Sequence, residues 1–213
     1  MQEMEIITIV SENGFSQNSY LCFNNDSMFL IDCGCTKEAY ISALKDLSLQ
    51  GRRLDGILLT HTHFDHITGL FDVWDVYKCD VYIAKGCLDF IYDKFKNVSA
   101  HFGGFVSQPI DVECIKSVED NQLINVGGVD IVAYLTKGHS MCSLCYKIGD
   151  ALFTGDTILE GTVGRCDLYG GSQIELEKSL LKIKKLPIRI AYPGHGVPMD
   201  KTLIDGVINM YIW

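Results

Sequence analysis

The segment 60–66 constrains this chain more than any other. It reads Thr-His-Thr-His-Phe-Asp-His and follows the apolar run 57–59 directly. Imidazole and carboxylate groups crowded at the end of a buried strand need polar or charged partners once they leave water, and a metal ion is such a partner. Imidazole nitrogen with carboxylate oxygen is the ligand set of zinc, iron, manganese or nickel, not of calcium or magnesium. The segment therefore predicts a metal site.

The spacing within this segment predicts two neighbouring sub-sites. If the strand continues through His63, its period of two directs His61 and His63 to the same side. A following turn can then bring Asp65 and His66 round to face them. One strand end cannot complete two coordination shells, so we expect further ligands from other parts of the chain.

Three later residues occur in suitable contexts. His139 and His195 each follow a glycine in a turn, and Asp156 follows the apolar stretch that ends at Gly155. The predicted ligand set assigns one metal ion to His61, His63 and His139, the second to Asp65, His66 and His195, and a bridging position to Asp156.

The order and contexts of these residues resemble the metallo-β-lactamase fold superfamily. The resemblance extends over nearly the whole chain, from Asn18-Ser19-Tyr20 and Leu30-Ile31-Asp32 to Gly194-His195-Gly196. In that family an acidic residue at the place of Asp32 supports the metal cluster from beneath. An aspartate that only closes a turn is an equally open reading of Asp32.

Composition narrows the class of protein. With 213 residues, 47% hydrophobic and 21% charged, the chain fits one α/β domain over residues 1–213. A net charge of −9 disfavours nucleic acid as a partner. The apolar runs fall far short of the ~20 residues that span a bilayer, which disfavours a membrane. We expect a small-molecule substrate, and the oligomeric state stays open.

The cysteines predict a compartment. Nine cysteines, with no secretory pattern at the N-terminus, indicate a cytoplasmic protein with reduced thiols. Cys142 and Cys145 have the spacing of a CxxC motif. We favour plain thiols on a buried strand, because no second such pair accompanies them.

Hydrophobic periodicity and turn residues predict a four-layer αββα sandwich, with helices outside two sheets. The turn 12–14 is expected to join the first two strands. Strands are predicted at 4–10, 17–23, 28–31, 56–60, 80–84, 111–115, 123–126, 129–135, 143–148, 152–154 and 188–192. Helices are predicted at 36–50, 67–76, 86–95, from the capping box at 172–175 to Pro187, and at 201–213, with a loop over 97–110.

This ligand set predicts hydrolysis. Two metal ions ~3.5–4 Å apart can lower the pKa of a shared water to about neutrality and so provide a bridging hydroxide as nucleophile. Asp65 would orient that hydroxide while it ligates, and could receive its proton. Two divalent ions are expected, with zinc favoured and iron or manganese as alternatives.

The loop 164–171 bears on the substrate. It resembles the glycine-rich loop of small glyoxalase II-like hydrolases and of persulfide dioxygenases, which implies a small thioester substrate or, alternatively, a mononuclear iron oxidoreductase. Arg165 and Asp167 either pair to hold this loop or contact substrate, and the role of Cys166 stays open. Asp156 separates the chain from classical metallo-β-lactamases, so β-lactam hydrolysis is disfavoured.

The sequence also predicts slow turnover of S-lactoylglutathione. Only 18 residues follow His195, whereas glyoxalase II adds a helical domain there that grips glutathione. Losing remote binding energy weakens turnover as well as affinity. We expect kcat/KM for this thioester below ~10⁴ M⁻¹s⁻¹. Steady-state kinetics test this, and a value near the diffusional ceiling would contradict it.

Overall fold

The computed structural model describes residues 4–12, 14–105 and 107–212. Three sequence predictions reach beyond these ranges. The turn 12–14 includes Asn13, the loop 97–110 includes Val106, and the helix 201–213 includes Trp213, and all three of these residues lie outside the described part. Residues 1–3 also lie outside the described part, and the interpretation of the N-terminus as lacking a secretory pattern includes them.

The first half of the chain forms a six-stranded mixed sheet in the order β1-β2-β3-β4-β5-β6. The pairs β1–β2 and β2–β3 are antiparallel, and the pairs from β3 to β6 are parallel. The strands are β1 Glu5–Val10, β2 Asn18–Phe23, β3 Met28–Ile31, β4 Gly56–Leu58, β5 Asp80–Ala84 and β6 Ile115–Val118. The helices between them are α1 Lys37–Asp46, α2 Phe64–Ile67, α3 Leu70–Tyr77 and α4 Leu88–Tyr92.

The second half forms another six-stranded sheet in the order β12-β11-β10-β9-β8-β7. Only β10 and β11 run parallel within it, because α5 lies between them in the chain and carries it back across the sheet. The elements are β7 Gln122–Val126, β8 Val129–Leu135, β9 Leu144–Ile148, β10 Ala151–Gly155, α5 Gln173–Lys184, β11 Ile190–Pro193, β12 Met199–Asp200 and α6 Lys201–Tyr211.

Alternation along the strands separates three apolar cores. Leu30 and Ile57 pack against α1 and α3, whereas their strand neighbours Phe29 and Leu58 pack against the second sheet. Leu180 of α5 belongs to a third core on the far side of that sheet. Because side chains of a strand point alternately to its two faces, both sheets are covered on both faces. The predicted four-layer αββα sandwich is confirmed.

The strand that leads into the histidine segment is shorter than predicted. It ends at Leu58, so His61 and His63 lie in a loop and not on a strand. The backbone N–H of Thr60 donates to the side chain of Asp32 at 2.7 Å instead of to a neighbouring strand. A side-chain acceptor thus replaces the strand ladder just before the first histidine.

Besides shifts at the ends of several elements, two predicted elements differ in type or continuity. The predicted strand 111–115 is a short 3-10 turn, Val112–Cys114, followed by β6. The predicted helix 67–76 is split between α2 and α3, which meet at Gly69. A Cβ on Gly69 would lie 1.8 Å from the carbonyl oxygen of Cys35, so the close approach of that loop requires glycine here.

The expectation of reduced thiols is wrong for one pair. Cys87 and Cys142 form a disulfide, with their Cα atoms 6.0 Å apart. Cys87 precedes α4, and Cys142 lies in the turn before β9, so the bond joins the two halves of the chain. Cys145 is a free, buried thiol on β9, as expected. Among the described residues, no helix is long and apolar enough to cross a membrane.

Loss of this disulfide is expected to destabilise the protein. The bond joins residues 55 positions apart, and closing a loop of that size lowers the entropy of the unfolded chain. We expect the double variant Cys87→Ser/Cys142→Ser to lose about 2–4 kcal/mol of unfolding free energy. Urea unfolding with and without reductant measures this. Reductant should weaken the wild type and leave the double variant unchanged, and an insensitive wild type would contradict the prediction.

Candidate metal centre

The seven predicted ligands meet at one edge of the two sheets. Asp65 and His66 lie in the short helix α2, and the other five lie in loops that follow strands. Such segments at strand ends can present polar groups that the sheets themselves exclude. Within the described residues, potential ligand atoms form three groups, each within 4.8 Å: His61, His63 and His139; His61, His66 and Asp156; and Asp65, His66 and His195. The first and third groups are the two predicted ligand sets.

Distances within these groups are short. His139 Nε2 lies 2.8 Å from His63 Nδ1, and His195 Nε2 lies 3.3 Å from Asp65 Oδ2. Asp156 reaches both groups, because its Oδ1 is 3.3 Å from His66 Nε2 and its Oδ2 is 3.6 Å from the Nε2 atoms of His139 and His195. This carboxylate therefore has the position that a bridging ligand requires.

Several of these atoms are buried without a hydrogen-bond partner. They are His61 Nε2, His63 Nε2, His66 Nε2 and Asp156 Oδ1. One buried polar atom without a partner is costly, and four such atoms around one space, among the described residues, fit a site that binds a cation. Nitrogen and oxygen donors of this kind suit divalent transition metals or zinc, so the residues present fit a metal centre.

The electrostatic environment divides the histidines. Burial lowers the pKa of His61 well below its usual value and that of His63 to about 3, which keeps both imidazoles in the neutral form that binds metals. Burial also acts to lower the pKa of His66, but the carboxylates of Asp32 and Asp156 outweigh it and raise that pKa well above its usual value. The carboxylates around His66 thus favour positive charge at this position, which suits the binding of a cation.

Asp32 lies directly beneath the centre. Its Oδ2 is 2.8 Å from His66 Nδ1 and accepts a hydrogen bond from Thr60 Oγ1 at 2.7 Å. Its other oxygen accepts from the Thr60 backbone, and the residue adopts a φ of +57°. Of the two interpretations of Asp32, these contacts favour the one in which Asp32 orients a candidate ligand. A carboxylate bonded to the second nitrogen of a ligand histidine fixes the orientation and tautomer of that imidazole ring.

Other orienting contacts had no signal in the sequence. His139 Nδ1 is 2.8 Å from the carbonyl oxygen of Arg165, and His195 Nδ1 is 3.0 Å from that of Phe15. These contacts leave each Nε2 directed at the centre. Backbone carbonyls occur at every residue, so no residue type could have revealed them. Buried Gln17, whose Nε2 lies 3.3 Å from His66 Nδ1, was also missed.

The loop 164–171 contributes its backbone to the centre. The Arg165 and Asp167 side chains are exposed and form two hydrogen bonds of 2.6 Å with each other, which is the pairing that the first of the two readings describes. Cys166 is half-buried and packs against the third core. A Cβ on Gly164 would lie 2.8 Å from His139 Nδ1, so this approach requires glycine. Exposed His101 belongs to none of the ligand groups.

The His195 turn is tied to the opposite sheet. The Asn18 backbone N–H donates to the Gly194 carbonyl at 2.8 Å, and its side chain donates to the carbonyls of Pro193 and Gly196. Tyr20 Oη donates to Pro193 at 2.5 Å. These bonds place His195, which follows β11 of the second sheet, against ligands that follow β4 of the first.

Comparison with known proteins agrees with this arrangement. Residues 13–195 match the sequence model of the metallo-beta-lactamase superfamily. The chain belongs to that superfamily. Its members include a probable polyketide biosynthesis zinc-dependent hydrolase, BaeB, of Bacillus velezensis, which is 33% identical over 67% of this chain. Another relative, an atrochrysone carboxyl ACP thioesterase of Aspergillus fumigatus, is 29% identical over 86% of this chain.

The alignments cover 57% of the first relative and 51% of the second, so this chain spans little more than half of each. A crystal structure described as BLEG-1 B3 metallo-beta-lactamase superposes with a TM-score of 0.85 and 27% identity. That superposition covers 98% of this chain and 99% of the other. The likeness extends over both sheets and all the strand ends that carry the candidate ligands.

Substitution of Asp156 is expected to affect both metal positions. The variant Asp156→Asn keeps the size of the side chain but removes the charge that both groups share, so metal content should fall at two positions and not at one. Elemental analysis after dialysis measures metal per chain. The exposed carboxylate variant Asp75→Asn, on α3, is the matched control and should bind as the wild type does. Two tightly retained ions in Asp156→Asn would remove Asp156 from the ligand set.

Proposed function

We propose that this chain is a hydrolase that uses two metal ions to cleave a small thioester or a related ester. The position of Asp156 carries the proposal, because one carboxylate lies within 3.6 Å of ligand atoms in both groups. The names of the two relatives, a zinc-dependent hydrolase and a thioesterase, support the metal and the substrate class. Zinc is the proposed ion, with iron or manganese as alternatives.

When bound, two such ions supply a water of lowered pKa and positive charge for an oxygen that becomes negative during the reaction. The chain supplies proton handling. Burial acts to raise the pKa of Asp65, but His66 and His195 outweigh it and lower that pKa below its ordinary value. The ionised carboxylate can orient an attacking water and accept its proton.

Restricted access to the centre supports this chemistry. Asp65, Asp156 and His195 are partly accessible, with side-chain exposures of 13%, 11% and 26%, whereas His61 and His66 are almost fully buried. Among the described ligand residues, Asp65, Asp156 and His195 therefore form the side from which a substrate carbonyl can approach. The apolar cores behind the other histidines exclude water, which strengthens electrostatic interactions at the centre.

Metal-loaded protein should hydrolyse thioesters. A panel of acyl thioesters of N-acetylcysteamine, glutathione persulfide and nitrocefin separates the candidate reactions, and elemental analysis counts the ions. We expect thioester cleavage, about two ions per chain and no oxygen uptake. One iron per chain with stoichiometric oxygen uptake on the persulfide would instead support a dioxygenase. Preferential turnover of nitrocefin would assign the centre to β-lactams.

The variant His61→Ala tests whether the metal centre is catalytic. His61 belongs to two of the ligand groups, so its loss should lower thioester turnover by at least about a hundredfold. The three apolar cores do not include it, so unfolding should stay cooperative. The variant His101→Ala should bind metal as the wild type does. Loss of cooperative unfolding in His61→Ala would make the metal structural.

A further inference from the structure

An aromatic surface borders the accessible side of the centre. It consists of Phe15, Phe64 and Phe102, called here the aromatic wall. The ring centroids of Phe15 lie 4.9 Å from Phe64 and 5.3 Å from Phe102, and those of Phe64 and Phe102 are 5.1 Å apart. Phe64 is buried, but Phe15 is 36% exposed and Phe102 is 52% exposed. The rings of Phe15 and Phe102 are thus partly exposed to solvent, and both contact the buried ring of Phe64.

Two connections fix the wall to the centre. Phe64 lies in the chain between the candidate ligands His63 and Asp65. The carbonyl oxygen of Phe15 is 3.0 Å from His195 Nδ1. The wall therefore stands beside Asp65 and His195, two of the three accessible candidate ligands.

The wall also has a rigid support. The Phe64 backbone N–H donates to the carbonyl of Asn97 at 3.0 Å, which holds the segment that leads to Phe102. The Asn97 side chain is buried, donates to the Ile91 carbonyl and accepts from the backbone of Ser99. A 3-10 turn, Ser99–Phe102, then presents the Phe102 ring. Exposed aromatic rings on so firm a support suit contact with an apolar group.

A second border of the centre has a different character. There the loop 164–171 contacts His139 through the Arg165 carbonyl and carries the paired charged side chains of Arg165 and Asp167, together with the exposed ring of Tyr169. A thioester has two arms on either side of its carbonyl. The charged border suits a polar thiol arm, and the aromatic wall suits an apolar acyl arm.

We infer that the aromatic wall binds the acyl chain of the substrate, so that the enzyme selects thioesters of apolar carboxylic acids. This inference rests on the proposed function. With the carbonyl at the metal centre, the first acyl carbons lie beside Asp65 and His195, and the following carbons extend over Phe15 and Phe102. Each methylene that leaves water should then improve binding by about fourfold.

Two matched substrate series test the assignment. In the first, the acyl group of an N-acetylcysteamine thioester is lengthened from acetyl to hexanoyl, and in the second the acetyl group is kept and the thiol is lengthened. For the wild type, kcat/KM should rise about two- to fourfold per acyl methylene and stay nearly flat in the thiol series. In Phe102→Ala the acyl dependence should fall below about twofold per methylene. Dependence on the thiol arm alone would overturn the assignment.

A control variant separates the wall from exposed phenylalanine in general. Phe95 is 62% exposed and makes no ring contact with the wall. Phe95→Ala should keep the wild-type dependence on acyl length. The variant Phe102→Leu, which retains apolar volume but not the ring, should lie between the wild type and Phe102→Ala. Equal loss of acyl dependence in Phe95→Ala would also overturn the proposal.

A binding measurement tests the wall without turnover. Acetate, butyrate, hexanoate and octanoate carry the acyl arm alone, and ligand-observed NMR titration of zinc-loaded protein gives their affinities. We expect affinity to rise with length, with saturation transfer from aromatic protons to the terminal methyl group that is lost in Phe102→Ala. Rising affinity without thioester cleavage would support the wall and refute the proposed reaction. Affinity that does not change with chain length would refute acyl binding at the aromatic wall. Concentration-dependent dimerisation that Phe102→Ala abolishes would also refute it, because the surface would then bind a second copy of the chain.

Discussion

One buried carboxylate holds the candidate centre together. Asp32 ends β3, accepts two hydrogen bonds from Thr60 and contacts the ring of His66, so it joins the end of one strand to both ends of the histidine segment. Because Asp32 replaces the next strand as acceptor for Thr60, β4 stops early and the histidines are released into a loop. The early end of β4 and the closeness of the ligands therefore have a common cause.

Much of the architecture could be predicted because alternation and helical spacing act locally. The two cores around Leu30 and Phe29 follow from neighbouring residues on one strand that face opposite sides. The grouping of the candidate ligands could also be predicted, since three histidines and an aspartate after an apolar run have few structural explanations. The strand predicted at 111–115 is wrong because only Ile115 of that range lies in a strand, after the turn Val112–Cys114. Only pairing with β5, a non-local contact, decides where β6 begins.

The features that escaped prediction depend on chain segments far apart in sequence. The carbonyls of Phe15 and Arg165 orient ligand histidines through main-chain atoms, which any residue type would supply equally. The Cys87–Cys142 disulfide depends on a loop of one sheet meeting a loop of the other. The CxxC spacing in the sequence relates Cys142 to Cys145 and gives no sign of Cys87. Composition and spacing describe single segments, so contacts between segments require the fold.

The arrangement also explains why donor atoms alone leave the metal undetermined. The candidate ligands follow strands of both sheets. The Asn18 contacts to the His195 turn join those sheets independently of any ion. A scaffold of this kind positions its ligands before metal arrives, so little binding energy is needed for folding. Preorganisation raises affinity for every ion that accepts nitrogen and oxygen donors at these distances, and the Irving–Williams order then acts on all of them alike. Selection among zinc, iron and manganese would therefore depend on the availability of the ions.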